Sequence, residues 1–222
     1  MPNELCAAVL ALVFTCSPVT GARAEEDNEA EPPLTEQLRD ESPDGKYAMR
    51  IAYDADLNAK MIVANGQPDP NRINSETMYR IELVETASGK ALLDLMKGED
   101  NLGSGGAHFE GLKLVWSPDS KWFAYYWTYP RVGHTTVYQW SGGKFRRMNK
   151  PEQLSALTTG EVRNEYIEPL RWLKGGVLEL KQIWIYRGEG SPDATVQFVA
   201  RFDSPNKFKI LSRKAVVESE DE

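Results

Sequence analysis

The sequence predicts an all-β fold assembled from repeated four-stranded antiparallel units, and three observations carry that expectation. Apolar residues recur at every second position in short runs bounded by Gly, Pro, Asp and Asn, which is the pattern of half-buried strands. A Ser-Pro-Asp turn is written twice, as Ser-Pro-Asp-Gly-Lys at 42–46 and Ser-Pro-Asp-Ser-Lys at 117–121. No long amphipathic helix is visible.

Aligning the chain against itself gives three copies of one plan: a hairpin, then a second hairpin whose turn contains Ser and ends in Lys. In the first copy the strand Tyr47 to Tyr53 follows the Ser-Pro-Asp-Gly-Lys turn. Its second hairpin runs through Ile81 and Leu83, Ser88-Gly89-Lys90, and Leu92. The second copy places Leu114-Val115-Trp116 before its turn and Trp122 to Tyr126 after it, then Val137 to Trp140 and Ser141-Gly142-Gly143-Lys144. The third copy keeps Leu170-Arg171-Trp172, replaces the Pro-Asp turn by Lys174-Gly175-Gly176, and ends on a hairpin around Ser204-Pro205-Asn206-Lys207.

Each turn residue has a physical reason. Pro presets φ for the second position of a type I turn, and Asp suits the third with its short acceptor. Gly45 can take the left-handed position without steric cost, whereas Ser120 at the equivalent place should cost about 1 kcal/mol. Phe123, Ala124, Tyr125 and Tyr126 make the following strand apolar on both faces, so a sheet is expected on each side of it.

These residues, Ser-Pro-Asp-Gly-Lys before an apolar strand and then a second apolar strand with a Gly-Lys turn, resemble the TolB-like β-propeller repeat. The resemblance covers most of 38–212 and implies that each copy is one blade. Closed propellers typically hold four to eight blades. Three copies therefore leave several architectures open: a fourth blade in 55–78 and 151–166, an open or partial propeller, or a ring closed through a second chain. An ordinary β-sandwich with similar turns is the alternative.

The ends of the chain differ from its middle. Cys6 to Cys16 is an unbroken apolar and small run followed by Ala22-Arg23-Ala24, which reads as a secretory signal over 1–24 with cleavage before Glu25. The run is shorter than the roughly 20 apolar residues of a membrane span. Its leading residues carry Glu4 and no cation, a departure from the usual signal. Lipidation at Cys16 is the competing reading. Export implies a periplasmic or secreted protein, and cleavage would remove both cysteines, excluding disulfide, thiolate and zinc-thiolate chemistry. Residues 25–37 read as an acidic linker, 38–214 as the β domain and 215–222 as an acidic disordered tail. The net charge of -7 argues against nucleic acid or anionic lipid as partner.

There is no Gly-x-Ser-x-Gly elbow, and His108 and His134 are the only imidazoles, so a Ser-His-Asp hydrolase has little to build on. Asp54-Ala55-Asp56-Leu57-Asn58 begins like a calcium loop, but Ala59 stands where Gly is needed and Asn65 where Glu should close the shell. Gly98 to Gly111 fits no nucleotide fingerprint and reads as a loop. No cofactor and no metal are therefore expected. Tyr125 to His134 concentrates aromatics with Arg131 and His134, the composition of binding hot spots. With Tyr125 and Tyr126 assigned to the core, the expected contacts are Trp127, Tyr129, Arg131 and His134, offered to a protein or peptide of the bacterial cell envelope. The alternatives are an envelope hydrolase with an unrecognised carboxylate site and a subunit completing a ring as a homo-oligomer.

Overall fold

The computed structural model describes residues 33–64, 77–96, 112–128, 131–150, 154–156, 162–186 and 194–216, and its fold is all-β. Each of the three copies forms a four-stranded antiparallel meander. The first comprises β1 (Thr35–Arg39), β2 (Tyr47–Tyr53), β3 (Met78–Glu85) and β4 (Ala91–Asp94), with a helix α1 (Ala55–Ala64) between β2 and β3. The second comprises β5 (Lys113–Trp116), β6 (Trp122–Thr128), β7 (Val132–Ser141) and β8 (Lys144–Arg147). The third comprises β9 (Val162–Lys174), β10 (Val177–Tyr186), β11 (Ala194–Ser204) and β12 (Lys207–Val216).

The first unit is a separate sheet, while the second and third share one. They join where β7 and β9 pair in parallel, Val132 opposite Glu165 and Gly133 opposite Tyr166. The joined sheet curls into a half-barrel. No copy-to-copy comparison could reveal that ladder, because it lies between copies rather than within one. Among the described residues there is no fourth four-stranded unit: Ala55–Ala64 is helical and Val162–Tyr166 belongs to β9.

Two boundaries move. β1 begins at Thr35, inside the segment read as linker, and β12 reaches Val216, two residues past the expected domain end. Thr35 to Leu38 are exposed and paired to β2 through backbone, so their sequence carries no apolar alternation to find.

The alternation along β6 sorts its side chains between two cores. Phe123, Tyr125 and Trp127 enter a cluster with Met49, Ile51, Ile81 and Leu83 of the first unit. Trp122 and Ala124 enter the other, with Leu178, Leu180, Trp184 and Phe198 of the third. Burying one such aliphatic or phenyl side chain contributes about 1.5–3 kcal/mol, so β6 is the strand on which both cores depend.

Neighbouring units are also pinned by the same bond. Trp116 Nε1 donates to the carbonyl of Asp40 at 2.8 Å, and Trp172 Nε1 donates to the carbonyl of Val115 at 2.8 Å. Asp40 and Val115 each lie two residues before the turn serine of their unit. The repeated Leu-x-Trp is therefore a docking device as well as a strand.

Candidate functional site

The antiparallel β6–β7 ladder places the residues singled out in the sequence. It runs from Trp122 opposite Gln139 to Thr128 opposite Gly133, and Trp127 faces His134. Trp127 is only 4% exposed and belongs to the core shared with the first unit, with the His134 ring edge-on at 5.0 Å. Tyr129 lies outside the described residues. Arg131 is exposed at the hairpin end, His134 is half-buried, and the Arg131 carbonyl accepts the Glu165 N–H at 3.0 Å. The structure thus leaves Arg131 exposed at the rim of the hairpin, three residues before a half-buried His134 whose ring packs on Trp127.

On the other face of the hairpin, Gly133 has no side chain because none fits: a Cβ there would stand 2.6 Å from Tyr126 Oη and 2.9 Å from Tyr166 Cδ1. Burial pushes the Tyr126 phenol pKa well up, and Glu168 and Tyr166 add to the shift, so the hydroxyl stays neutral. Lys113 Nζ pairs with Glu168 Oε1 at 2.5 Å and sits 5.6 Å over the Tyr126 ring.

A buried polar cluster follows β8. Asn149, fully buried, accepts the Val137 N–H at 2.7 Å and donates to the Thr135 carbonyl at 3.0 Å, fixing where the chain leaves β8. Leu154–Ala156 then pack as a strap against the second and third units. Leu154 is 0% exposed and packs into the core of the second and third units. Ala156 N–H donates to Gln182 Oε1 at 2.6 Å, and Arg213 Nη1 donates to the Ala156 carbonyl at 3.0 Å. Gln182 Nε2 donates to Ser155 Oγ at 2.9 Å and to Glu165 Oε1, which also accepts the Trp184 indole at 3.0 Å and the Ser155 hydroxyl at 3.4 Å. Glu165 therefore holds the strap with its side chain and the Arg131 rim with its backbone.

The sequence reading passed over Gln182, Glu165 and Ser155, although Gln182 left a signal. It sits in the inward series Leu178, Leu180, Gln182, Trp184, where an amide among apolar residues must find a buried partner. Ser155 and Glu165 left none, because their meeting depends on how the half-barrel curls. Chemically, Ser155 has a carboxylate and an amide as partners, while His134 faces the opposite core beside Trp127.

The calcium-like segment has a different job. Asp54 Oδ1 accepts the Leu57 N–H at 2.9 Å and so caps α1, and Asn58 Oδ1 accepts the Thr77 hydroxyl at 3.2 Å. A helix cap and a calcium loop share oxygen side chains at their start, which is why the pattern was ambiguous. Gly98 to Gly111 lie outside the described residues. Among the described residues, no three His, Cys, Asp or Glu side chains gather as a metal site, and no helix is long and apolar enough to cross a membrane. Comparison with protein-family models and with curated proteins finds no match to this chain.

Proposed function

We propose that the chain is an exported, non-enzymatic β-repeat module that binds a protein or peptide of the bacterial cell envelope through the Arg131–His134 rim. One observation supports the reading: Arg131 is exposed at the hairpin end on backbone tied to β9, and His134 three residues on is half-buried. Trp127 packs beneath His134, and the Glu165 N–H fixes the Arg131 carbonyl. Backbone fixed in this way does not have to be ordered on contact, which lowers the cost of binding. The signal-like segment supports the compartment, and the TolB-like resemblance of the repeats supports a scaffold that presents loops.

The reading takes the chain as a finite stack. The outward face of the first unit carries Arg50 paired with Glu82 at 2.7 Å, with Glu36 within 3.6 Å of Arg50 and 3.8 Å of Arg80. Burying such a face against a further unit would desolvate these charges, and terminal repeats characteristically carry polar outer faces.

The test is partner capture from envelope extract with the mature protein, comparing wild type with Arg131→Ala and His134→Ala. Loss of the same captured protein in both variants is expected. Unchanged recovery would remove the rim from the binding surface.

A further inference from the structure

We infer that the outer edge of β12 docks a second protein by strand addition, and that the added strand alternates carboxylate and apolar side chains. Among the described residues β12 pairs with β11 alone and ends the eight-stranded sheet, so one side of its backbone has no ladder over Lys207–Val216. Such an edge takes a further strand through main-chain hydrogen bonds, and side chains at alternate positions set which strand is accepted.

The side chains of β12 specify the two faces of that partner. The ladder with β11 puts Lys209, Ser212 and Lys214 on the outward face, opposite Arg201, Val199 and Gln197. Phe208 and Ile210 turn the other way, opposite Phe202 and Ala200, and are partly buried against the core of the second and third units. Leu211 is the extra residue at the register shift and is 49% exposed. Lys207, Lys209, Arg213 and Lys214 are cations, and β12 contains no acid. Lys209 faces Arg201, whose carboxylate partner is Asp203 at 2.8 Å, and like charges directly opposite weaken a sheet.

Charge selects among the strands that can add. A second copy pairing β12 with β12 would set these cations against their own copies, the self-association that lysine on an edge prevents. A segment with carboxylates facing Lys209 and Lys214 gains cross-strand ion pairs instead. These lysines stand opposite Arg201 and Gln197, four ladder steps and about 13 Å apart, so acids at alternate positions of an extended chain meet both. The intervening side chains fall on the face of Phe208 and Ile210, where apolar groups continue the half-buried surface. The edge belongs to the third unit and the Arg131–His134 rim to the β6–β7 hairpin, so either assignment can fail without the other.

The probe is a fluorescein-labelled peptide of four Glu-Val repeats, followed by anisotropy against the whole mature protein at low ionic strength. Lys209→Glu combined with Lys214→Glu is expected to weaken binding at least about tenfold. Lys90→Glu combined with Lys144→Glu changes net charge equally at exposed turns of the other units and is expected to alter it by less than about twofold. If the first pair loses the native near-ultraviolet spectrum, Lys209→Gln with Lys214→Gln takes its place. Bound peptide is also expected to slow exchange of fast-exchanging amides within Lys207–Val216, which a merely electrostatic contact would not do. Equal loss in both pairs of variants, binding without protection of β12 amides, or equally tight binding of an oligothymidylate would overturn the inference and leave the lysines as edge protection.

Discussion

The two faces of the β6–β7 pair are built for different purposes. Toward the first unit, Phe123, Tyr125, Trp127 and Tyr138 fill the interface, with Phe123 stacked on Tyr138 at 4.7 Å and edge-on to Phe145 at 5.1 Å. Toward the third unit Trp122 tilts against Trp172 at 5.7 Å, and Ala124 and Val137 share a cluster with Leu154, whose neighbour Ala156 is bonded to Gln182. Stacked and edge-on rings close one seam. The other combines rings and small side chains with a separate piece of chain held by side-chain hydrogen bonds.

That contrast can be broken most severely at the aromatic seam. Phe123→Ala is expected to cost about 3–5 kcal/mol, read as a lowered denaturant midpoint, because a close-packed site collapses poorly around a lost ring. Next comes the clasp. Gln182→Leu leaves the buried Ala156 N–H without its acceptor and should cost about 1–3 kcal/mol in the same assay. The indole pins follow: Trp172→Phe is expected to lose about 1 kcal/mol, and Trp116→Phe less, because Trp172 is 7% exposed and Trp116 is only half-buried.

The smallest effects belong to the paired turns, which match bond for bond. Ser42 and Ser117 each donate from Oγ to the turn Asp and accept the N–H of the first strand residue, Tyr47 or Trp122. They differ at the left-handed position, where Gly45 has φ 70° and Ser120 has φ 54°. The strain anticipated at Ser120 is there, and its compensation crosses between units: Asp44 N–H donates to Ser120 Oγ at 3.1 Å. Ser120→Gly should therefore be neutral within about 0.5 kcal/mol, whereas Ser120→Ala keeps the strain, loses the bond and costs about 1 kcal/mol.

The turn aspartates also set a weak pH dependence. Burial works against ionisation of Asp119, but the Ser117 hydroxyl, the Lys121 N–H and the Lys121 charge outweigh it and hold the pKa below the usual carboxylate value. Its contribution is present above about pH 3.9 and is lost as pH falls through the lowered folded-state value. Asp119→Asn should flatten that part of an acid-unfolding curve.

What was legible in the sequence was whatever repeats or alternates locally. The strands, the turn serines and the two-sided burial of β6 all follow from patterns within a few residues. The β7–β9 ladder, the strap and the Glu165 contacts join positions far apart in the chain, and nothing at Ser155 or Glu165 marks them in isolation. Trp127 shows the limit from the other side: its composition suits a contact surface, yet strand alternation with Phe123 and Tyr125 sends it into the core.

The central claim is that the seam with the strap opens independently while the aromatic seam opens only with the whole fold. Native-state hydrogen exchange tests it directly, comparing the Ala156 amide, held by Gln182, with the Tyr125 amide in the β6 ladder. The expected result is that Ala156 exchanges through a local opening insensitive to low denaturant, while Tyr125 exchanges at the global unfolding free energy. Equal protection of the two amides, with the same denaturant dependence, would contradict it.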